Sequence, residues 1–248
     1  VTAPQGPWRA VEVLDEVDST NRVLRDRAVD GVEPGLVVVA EHQTHGRGRL
    51  DRLWESPRST GLTFSVLLRP SAPRSSWGWL PLLAGLAVAE TLTDHVGLDA
   101  TVKWPNDVLI DDRKVAGLLV EAVAHDGAVI GIGVNTHLEA EALPTPVATS
   151  LILEGAPADA INRASLLTAV LLHLHERMAD LDRGPTAEAM AAYRMRCSTL
   201  GRHVDITVPG GQRIRGTVAD IADDASLVID VDGHGVRHVA AGDVVHLR

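Results

Sequence analysis

Residues 77–96 carry apolar side chains on nearly every side of a helix: Leu80, Leu82, Leu83, Leu86, Val88 and Leu92. A surface helix shows one apolar stripe. A helix that is apolar all round must be buried, here across a sheet. Gly97 ends it, and Trp77 and Trp79 at its start read as core or rim residues. The rest of the chain therefore has to supply a sheet and further helices to cover this one.

The strands are legible. Residues 11–17 alternate as a strand does, and residues 36–40 and 62–68 are apolar runs of strand length. Residues 108–110 and 115–123 read as strands around a turn at Asp111-Asp112-Arg113-Lys114. Residues 128–135 form a further strand after the hairpin signal Asp126-Gly127. Asp18-Ser19-Thr20-Asn21 opens a helix that stops at Gly31, with Ser19 and Thr20 as capping residues. Such a start also presents free N–H groups to a ligand. Residues 140–160, rich in Ala, Pro and Glu, read as a surface connection. A helix over 163–181 has the stripe Leu166, Val170, Leu174, Met178 and Leu181, and a second helix after Gly184-Pro185 reaches about Cys197. His173 and His175 are two apart, point to different faces and make a poor metal pair.

From residue 200 the pattern changes to short alternating runs at 204–208, 213–218, 227–231, 236–239 and 244–247, with turns at Gly210-Gly211 and Asp232-Gly233. That pattern predicts a small all-β barrel. A chain of 248 residues has room for a main domain plus such a small one.

A net charge of −10 argues against a general nucleic-acid surface but leaves room for a local basic cleft. With Cys197 the only cysteine, neither an intrachain disulfide nor a cysteine-rich zinc site can form, and its expected role is a small buried hydrophobe. Pro4, Pro7 and Arg9 break any signal-peptide pattern, and no run approaches the ~20 apolar residues of a membrane span. The expected setting is cytoplasmic.

The segment 44–60, between two strands, is far longer than the about 2–5 residues a hairpin needs. It holds Gly46-Arg47-Gly48-Arg49, Arg52 and Trp54. The glycines allow backbone angles barred to other residues and let the chain approach a ligand closely. The arginines supply forked, permanent charge suited to phosphate or carboxylate. Taken alone, the segment reads equally well as a solvated arginine loop. Further on, Pro105 holds Trp104 extended and breaks a strand, leaving Asn106 and Asp107 at its rim. Gly131 and Gly133 lie inside a strand, where they cost stability unless another group packs close.

Four segments agree: Ser19-Thr20-Asn21, the run 43–49, Lys103-Trp104-Pro105-Asn106-Asp107 with the run 113–117, and the run 131–135. In this order and spacing they closely resemble the biotin protein ligases, or biotin–[acetyl-CoA-carboxylase] ligases. The resemblance covers nearly the whole chain. It implies an α+β fold: a catalytic domain over 1–199 with a mixed/antiparallel β-sheet packed with helices, the class II synthetase-like biotin/lipoate ligase fold. An SH3-like β-barrel follows over 200–248.

The resemblance also implies that the protein makes biotinyl-5′-AMP from biotin and ATP with Mg²⁺, releasing pyrophosphate. Biotin then passes to one lysine of the biotin carboxyl carrier domain of an acyl-CoA carboxylase. By the same resemblance Ser19, Thr20, Asn21 and Gln43 line the biotin site, and Gly117 brings backbone close to biotin. Arg47, Gly48 and Arg49 cover the biotin carboxylate and adenylate phosphate, and Lys114 binds oxygens of both. Arg49, Arg52, Trp54, Lys103, Asn106, Asp107 and Asn135 fall on the ATP side, and Lys114, Arg49 and Arg47 carry catalysis. No protein-held metal site is implied. The chemistry is consistent, because adenylation joins two anions and needs fixed positive charge and donors more than an acid–base pair.

Simpler roles stand beside these. Lys103 and Lys114 fit as rim charges, Trp104 as core, and Gly131 and Gly133 as aids to sheet packing. The sequence departs from the family at His45, where a small residue is common, and at Leu50-Asp51, where some members carry Arg-Gly. Some members begin with a DNA-binding winged helix. Here the first strand starts near Val11, so no DNA partner is expected. A lipoate ligase would favour an Arg-Arg-x-x-Gly-Gly-Gly run, which the chain lacks. A phosphate-binding nucleic-acid module using Arg47, Arg49 and Arg52 is opposed by the net charge and the lack of interleaved aromatics.

Overall fold

The computed structural model describes residues 6–247. Seven strands form one sheet: β1 (Ala10–Val17), β2 (Leu36–Gln43), β3 (Gly61–Leu68), β4 (Thr101–Lys103), β5 (Asp107–Ile110), β6 (Arg113–Val123) and β7 (Gly127–Asn135). Their order is β1-β2-β3-β7-β6-β5-β4. β1 and β2 run parallel and every other neighbouring pair antiparallel. A parallel pair needs a crossover, and α1 (Thr20–Val29) supplies it.

Strand alternation divides the sheet's work. Ser65 pairs with Gly131, which pairs with Leu119; Thr63 pairs with Gly133, which pairs with Gly117. These residues share one face, beneath α1 and the loop that follows β2. On the other face Phe64, Val66, Ile130, Ile132 and Leu118 pack under α2 (Trp79–Thr91). Leu80, Leu83 and Leu86 of α2 are wholly buried, each contributing about 1.5–3 kcal/mol by leaving water. α3 (Arg163–Asp182) covers the outer side of α2 with Leu166, Val170, Leu174, Met178 and Leu181. The all-round apolar pattern is thus explained by a sheet beneath and helices above. α2 ends in a π turn, Leu92–Val96, and Gly97 takes the left-handed φ of 80° that stops it.

After α4 (Ala187–Arg196) the chain forms β8 (His203–Thr207), β9 (Arg213–Ile221), β10 (Leu227–Val231), β11 (Gly235–Val239) and β12 (Asp243–His246). Their antiparallel order is β11-β10-β9-β8-β12. Among the described residues β11 and β12 do not pair, so the expected SH3-like unit is an open sheet rather than a closed barrel. Its apolar residues join the cluster around α2. The indoles of Trp79 and Trp104 donate to the carbonyls of Asp223 and Ala225 at 2.7 and 3.0 Å. Trp104 is therefore core, and the small sheet is fixed against the large one. Cys197 is buried, and burial raises its thiol pKa.

Three expectations are corrected. Arg113 and Lys114 belong to β6; the turn is made by Asp111 and Asp112, with φ of 48° and 61°. Residues 140–160 are not simply a surface connection, since Thr149, Ser150 and Leu151 are fully buried. That segment grips the start of β6: Lys114 N–H donates to Val147 O at 2.7 Å, and Thr149 N–H to Lys114 O at 2.8 Å. Finally, Ser19 stands at the N-cap of α1 but its side chain makes no capping bond. Gln43 of β2 supplies the acceptor instead. Its Oε1 lies 2.8 Å from Thr20 N and 3.1 Å from Thr20 Oγ1.

Candidate active site

A cleft of about 770 Å³, open to solvent, lies over the glycine-bearing face of β6 and β7. Its floor exists because three side chains are missing. A Cβ on Gly131 would overlap the Asn21 amide, and one on Gly133 would overlap the Trp54 indole. A Cβ on Gly117 would press on Lys114 and Trp54 at 3.0 Å. The glycines inside β7 are thereby accounted for: they make room for groups that descend from α1 and from the loop after β2.

That loop is a small structure of its own. Gly48 N–H donates to Arg52 O at 2.7 Å, Trp54 N–H donates to Gly46 O at 2.9 Å, and Arg47 bridges to Leu53. Neither Gly46 nor Gly48 has positive φ, so neither uses the freedom a glycine allows. A Cβ at Gly46 would meet the Trp54 carbonyl, so it is needed for space. The left-handed residues of the loop are Leu50 and Ser59, at φ 56° and 66°, and the branched side chain of Leu50 adopts that region at a cost.

The cleft collects cations. Lys114 Nζ lies 2.6 Å from Asp107 Oδ1 and 5.7 Å from the centre of the Trp54 ring. Arg49 donates to Asn106 Oδ1 and to Gly242 O, each at 3.2 Å. Arg52 pairs with Asp243, so the turn before β12 closes one wall. Burial lowers the pKa of the Arg49 guanidinium, with Asp107 and Asp243 opposing the shift. Burial likewise lowers that of Lys103, opposed by the same two carboxylates. Ser65 and Glu121 stand behind Asn21: Ser65 Oγ donates to Asn21 Oδ1 at 2.6 Å, and Asn21 Nδ2 donates to Glu121 Oε2 at 2.8 Å.

Of the residues selected from sequence, Ser19, Thr20, Asn21, Gln43, Arg47, Gly48, Arg49, Arg52, Trp54, Asn106, Asp107, Lys114 and Gly117 line this cleft. Lys103 and Asn135 do not. Lys103 is the cross-strand partner of Asp107 and lies within the electrostatic reach of Asp107 and Asp243. Asn135 donates from Nδ2 to Thr149 O at 2.9 Å, holding the strap that grips Lys114. Sequence reasoning missed Ser65, Glu121 and Asp243. Glu121 was within reach of the strand period, because 117, 119 and 121 share a face. Asp243 carried no such signal, since only the packing of the two sheets brings it near. Among the described residues no group of three or more His, Cys, Asp or Glu side chains could hold a metal ion, and no helix is long and apolar enough to cross a membrane.

A mixed sheet with a cleft that holds cations over a glycine floor defines the class. Residues 13–135 match the Biotin/lipoate A/B protein ligase family, and residues 199–247 match the Biotin protein ligase C terminal domain. The chain belongs to the biotin protein ligase family, whose members are ATP-dependent enzymes. It is 40% identical to the biotin–[acetyl-CoA-carboxylase] ligase of Mycobacterium tuberculosis over 97% of this chain and 90% of that one. Its fold matches the Aquifex aeolicus biotin protein ligase in complex with biotin and ATP. The TM-score is 0.82 at 29% identity, over 97% of this chain and 100% of that one. The Leishmania major biotin protein ligase in complex with biotinyl-5-AMP matches with a TM-score of 0.66 at 27% identity, over 96% and 98% of the two chains.

Proposed function

We propose that the cleft joins the biotin carboxylate to the α-phosphorus of ATP, releasing pyrophosphate, and then delivers biotin from biotinyl-5′-AMP to a lysine of a carboxyl carrier domain. The observation that carries this reading is the convergence of Lys114, Arg47, Arg49 and Arg52 on one glycine-floored cleft. Two anions that repel each other in water are held there beside fixed cations. In this reading Ser19, Thr20, Asn21, Gln43 and Gly117 receive biotin, while Arg49, Arg52, Trp54, Asn106 and Asp107 face the nucleotide. Lys103 adds charge from beside Asp107, and Asn135 acts only through the strap it holds.

Lys114 stands between the two substrates and keeps its ammonium beside the carboxylate oxygen as it attacks. Charge moves onto the leaving pyrophosphate, and the loop arginines lie where that charge accumulates. For the second step, the neutral amine of the carrier lysine attacks the acyl carbon of the mixed anhydride; the amide bond forms as the bond to phosphate breaks, AMP leaves, and the amine gives up a proton to solvent. Mg²⁺ fits as an ion that arrives with ATP. The cleft offers few hard oxygens, chiefly Asp107 and Asp243, and the phosphates and water supply the rest. The ion would neutralise charge on the phosphates. With a net charge of −10, no DNA partner is part of this reading.

The test is transfer. The protein, biotin, ATP, Mg²⁺ and a carboxyl carrier domain should give a carrier heavier by one biotinyl group, on its single acceptor lysine. An unmodified carrier, with known ligase active in parallel, would reject the reading.

A further inference from the structure

We infer that Glu121 is a positioning residue that fixes the donor–acceptor direction of the cleft's polar wall and ties that wall to the arginine loop. The inference rests on the biotin-site reading above and deepens it.

Glu121 lies on β6, two residues beyond Leu119 on the cleft face, with its side chain 19% exposed. Both carboxylate oxygens are engaged. Oε2 accepts from Asn21 Nδ2 at 2.8 Å. Oε1 faces Arg25 at 3.2 Å and Arg47 at 3.6 Å. Asn21 is 3% exposed and has two chemically different ends. An ionised carboxylate only accepts, so the end that meets Glu121 must be the NH₂ group. The backbone carbonyl of Leu119, 3.3 Å from Nδ2, makes the same demand. Asn21 Oδ1 is thereby turned towards Ser65.

The consequence travels along the wall. Ser65 is fully buried, and its hydroxyl proton goes to Asn21 Oδ1 at 2.6 Å. Ser65 Oγ also lies 2.7 Å from Thr20 Oγ1, whose own proton goes to Gln43 Oε1 at 3.1 Å. One carboxylate outside the floor thus sets which way the Asn21 amide and the Ser65 hydroxyl point. Through Arg47 the same carboxylate holds the loop in register with that wall.

Glu121→Gln keeps the shape but turns one oxygen into a donor. Asn21 then meets either an NH₂ group or a neutral oxygen, and Arg25 and Arg47 lose their partner. A hydrogen bond to a charged group is worth enough that the biotin KM should rise about tenfold or more. kcat should stay within about threefold, because the group acts on ground-state binding. The melting temperature should stay within about 2 °C, since the site is at the end of a strand and partly exposed.

Independently of any substrate, the side-chain amide ¹H–¹⁵N resonances of Asn21, assigned with Asn21→Ser, should move when the charged acceptor is lost. A biotin KM within about twofold of the parent, or unmoved Asn21 resonances, would overturn the inference. Were the parent itself inactive with biotin, the functional reading would fail, and the resonances would still decide whether Glu121 orients Asn21.

Discussion

Lys114→Ala is the most informative single substitution in this cleft. Lys114 Nζ is 2.6 Å from Asp107 Oδ1, and the two side chains are 33% and 22% exposed. Unit charges about 4 Å apart at an effective dielectric of 20 interact by ~4 kcal/mol. Asp107 already offsets part of the lysine's field, so the share acting on the transition state is smaller. Removing one group that stabilises developing charge costs about 10²–10³ in rate. The alanine variant also takes away the ammonium 2.6 Å from Asp107 and leaves that carboxylate facing two anionic substrates, which pushes the loss upward. Biotin-dependent pyrophosphate release should therefore fall at least ~100-fold, with circular dichroism unchanged. Lys114→Arg should recover only part of the rate, because a planar fork places its charge differently from a compact ammonium. Biotin affinity without ATP should weaken less than the rate, because only part of the interaction exists in the ground state. A rate within about threefold of the parent would refute the assignment and leave Lys114 as a rim charge paired with Asp107.

Three further outcomes follow from the same geometry. Gly131→Ala places a Cβ against the Asn21 amide, so biotin affinity by calorimetry should drop about tenfold or more, and an unchanged affinity would contradict the floor described here. Amide exchange over residues 44–54 should slow on adding biotin, because ligand contacts oppose the about 1–2 kcal/mol per residue of backbone entropy that ordering costs; equal rates would reject this. His246 is pushed from 6.5 down to about 4, first by burial and then by Lys103 and Arg202. The unfolded chain takes up this proton below about 6.5 while the folded one does not, so stability is full above that pH and falls as pH drops towards 4. The undiscounted gap is ~3 kcal/mol and partial exposure reduces it to about 1–2 kcal/mol. Urea unfolding at several pH values should show that loss in the parent and not in His246→Gln, and identical profiles would contradict it.

Much of the site was legible because it is carried by short runs whose chemistry is local. The arginine loop stands out as too long for a hairpin, and Gly131 and Gly133 stand out as a cost inside a strand. What they are for was not legible. Only the register that sets Gly131 beside Ser65 shows that a Cβ there would strike Asn21. The loop glycines were read through their backbone freedom, yet the left-handed residues are Leu50 and Ser59, and Gly46 is there for space. The strap over 147–151 was hidden because its composition is that of a surface segment, while its burial comes from pairing with Lys114. The family resemblance puts Asn135 on the ATP side, but its amide is spent on Thr149. The contribution of Asp243 depends on how two sheets pack, which no local pattern encodes.

The central claim is that this cleft activates biotin as its adenylate. It is tested most directly by incubating the protein with Mg²⁺, ATP and either biotin or lipoate, without any acceptor, and identifying the bound product by mass spectrometry. Biotinyl-5′-AMP and an equal amount of pyrophosphate are expected with biotin, and no adenylate with lipoate. Lipoyl-AMP without biotinyl-5′-AMP, or no adenylate with either acid from folded protein, would contradict it.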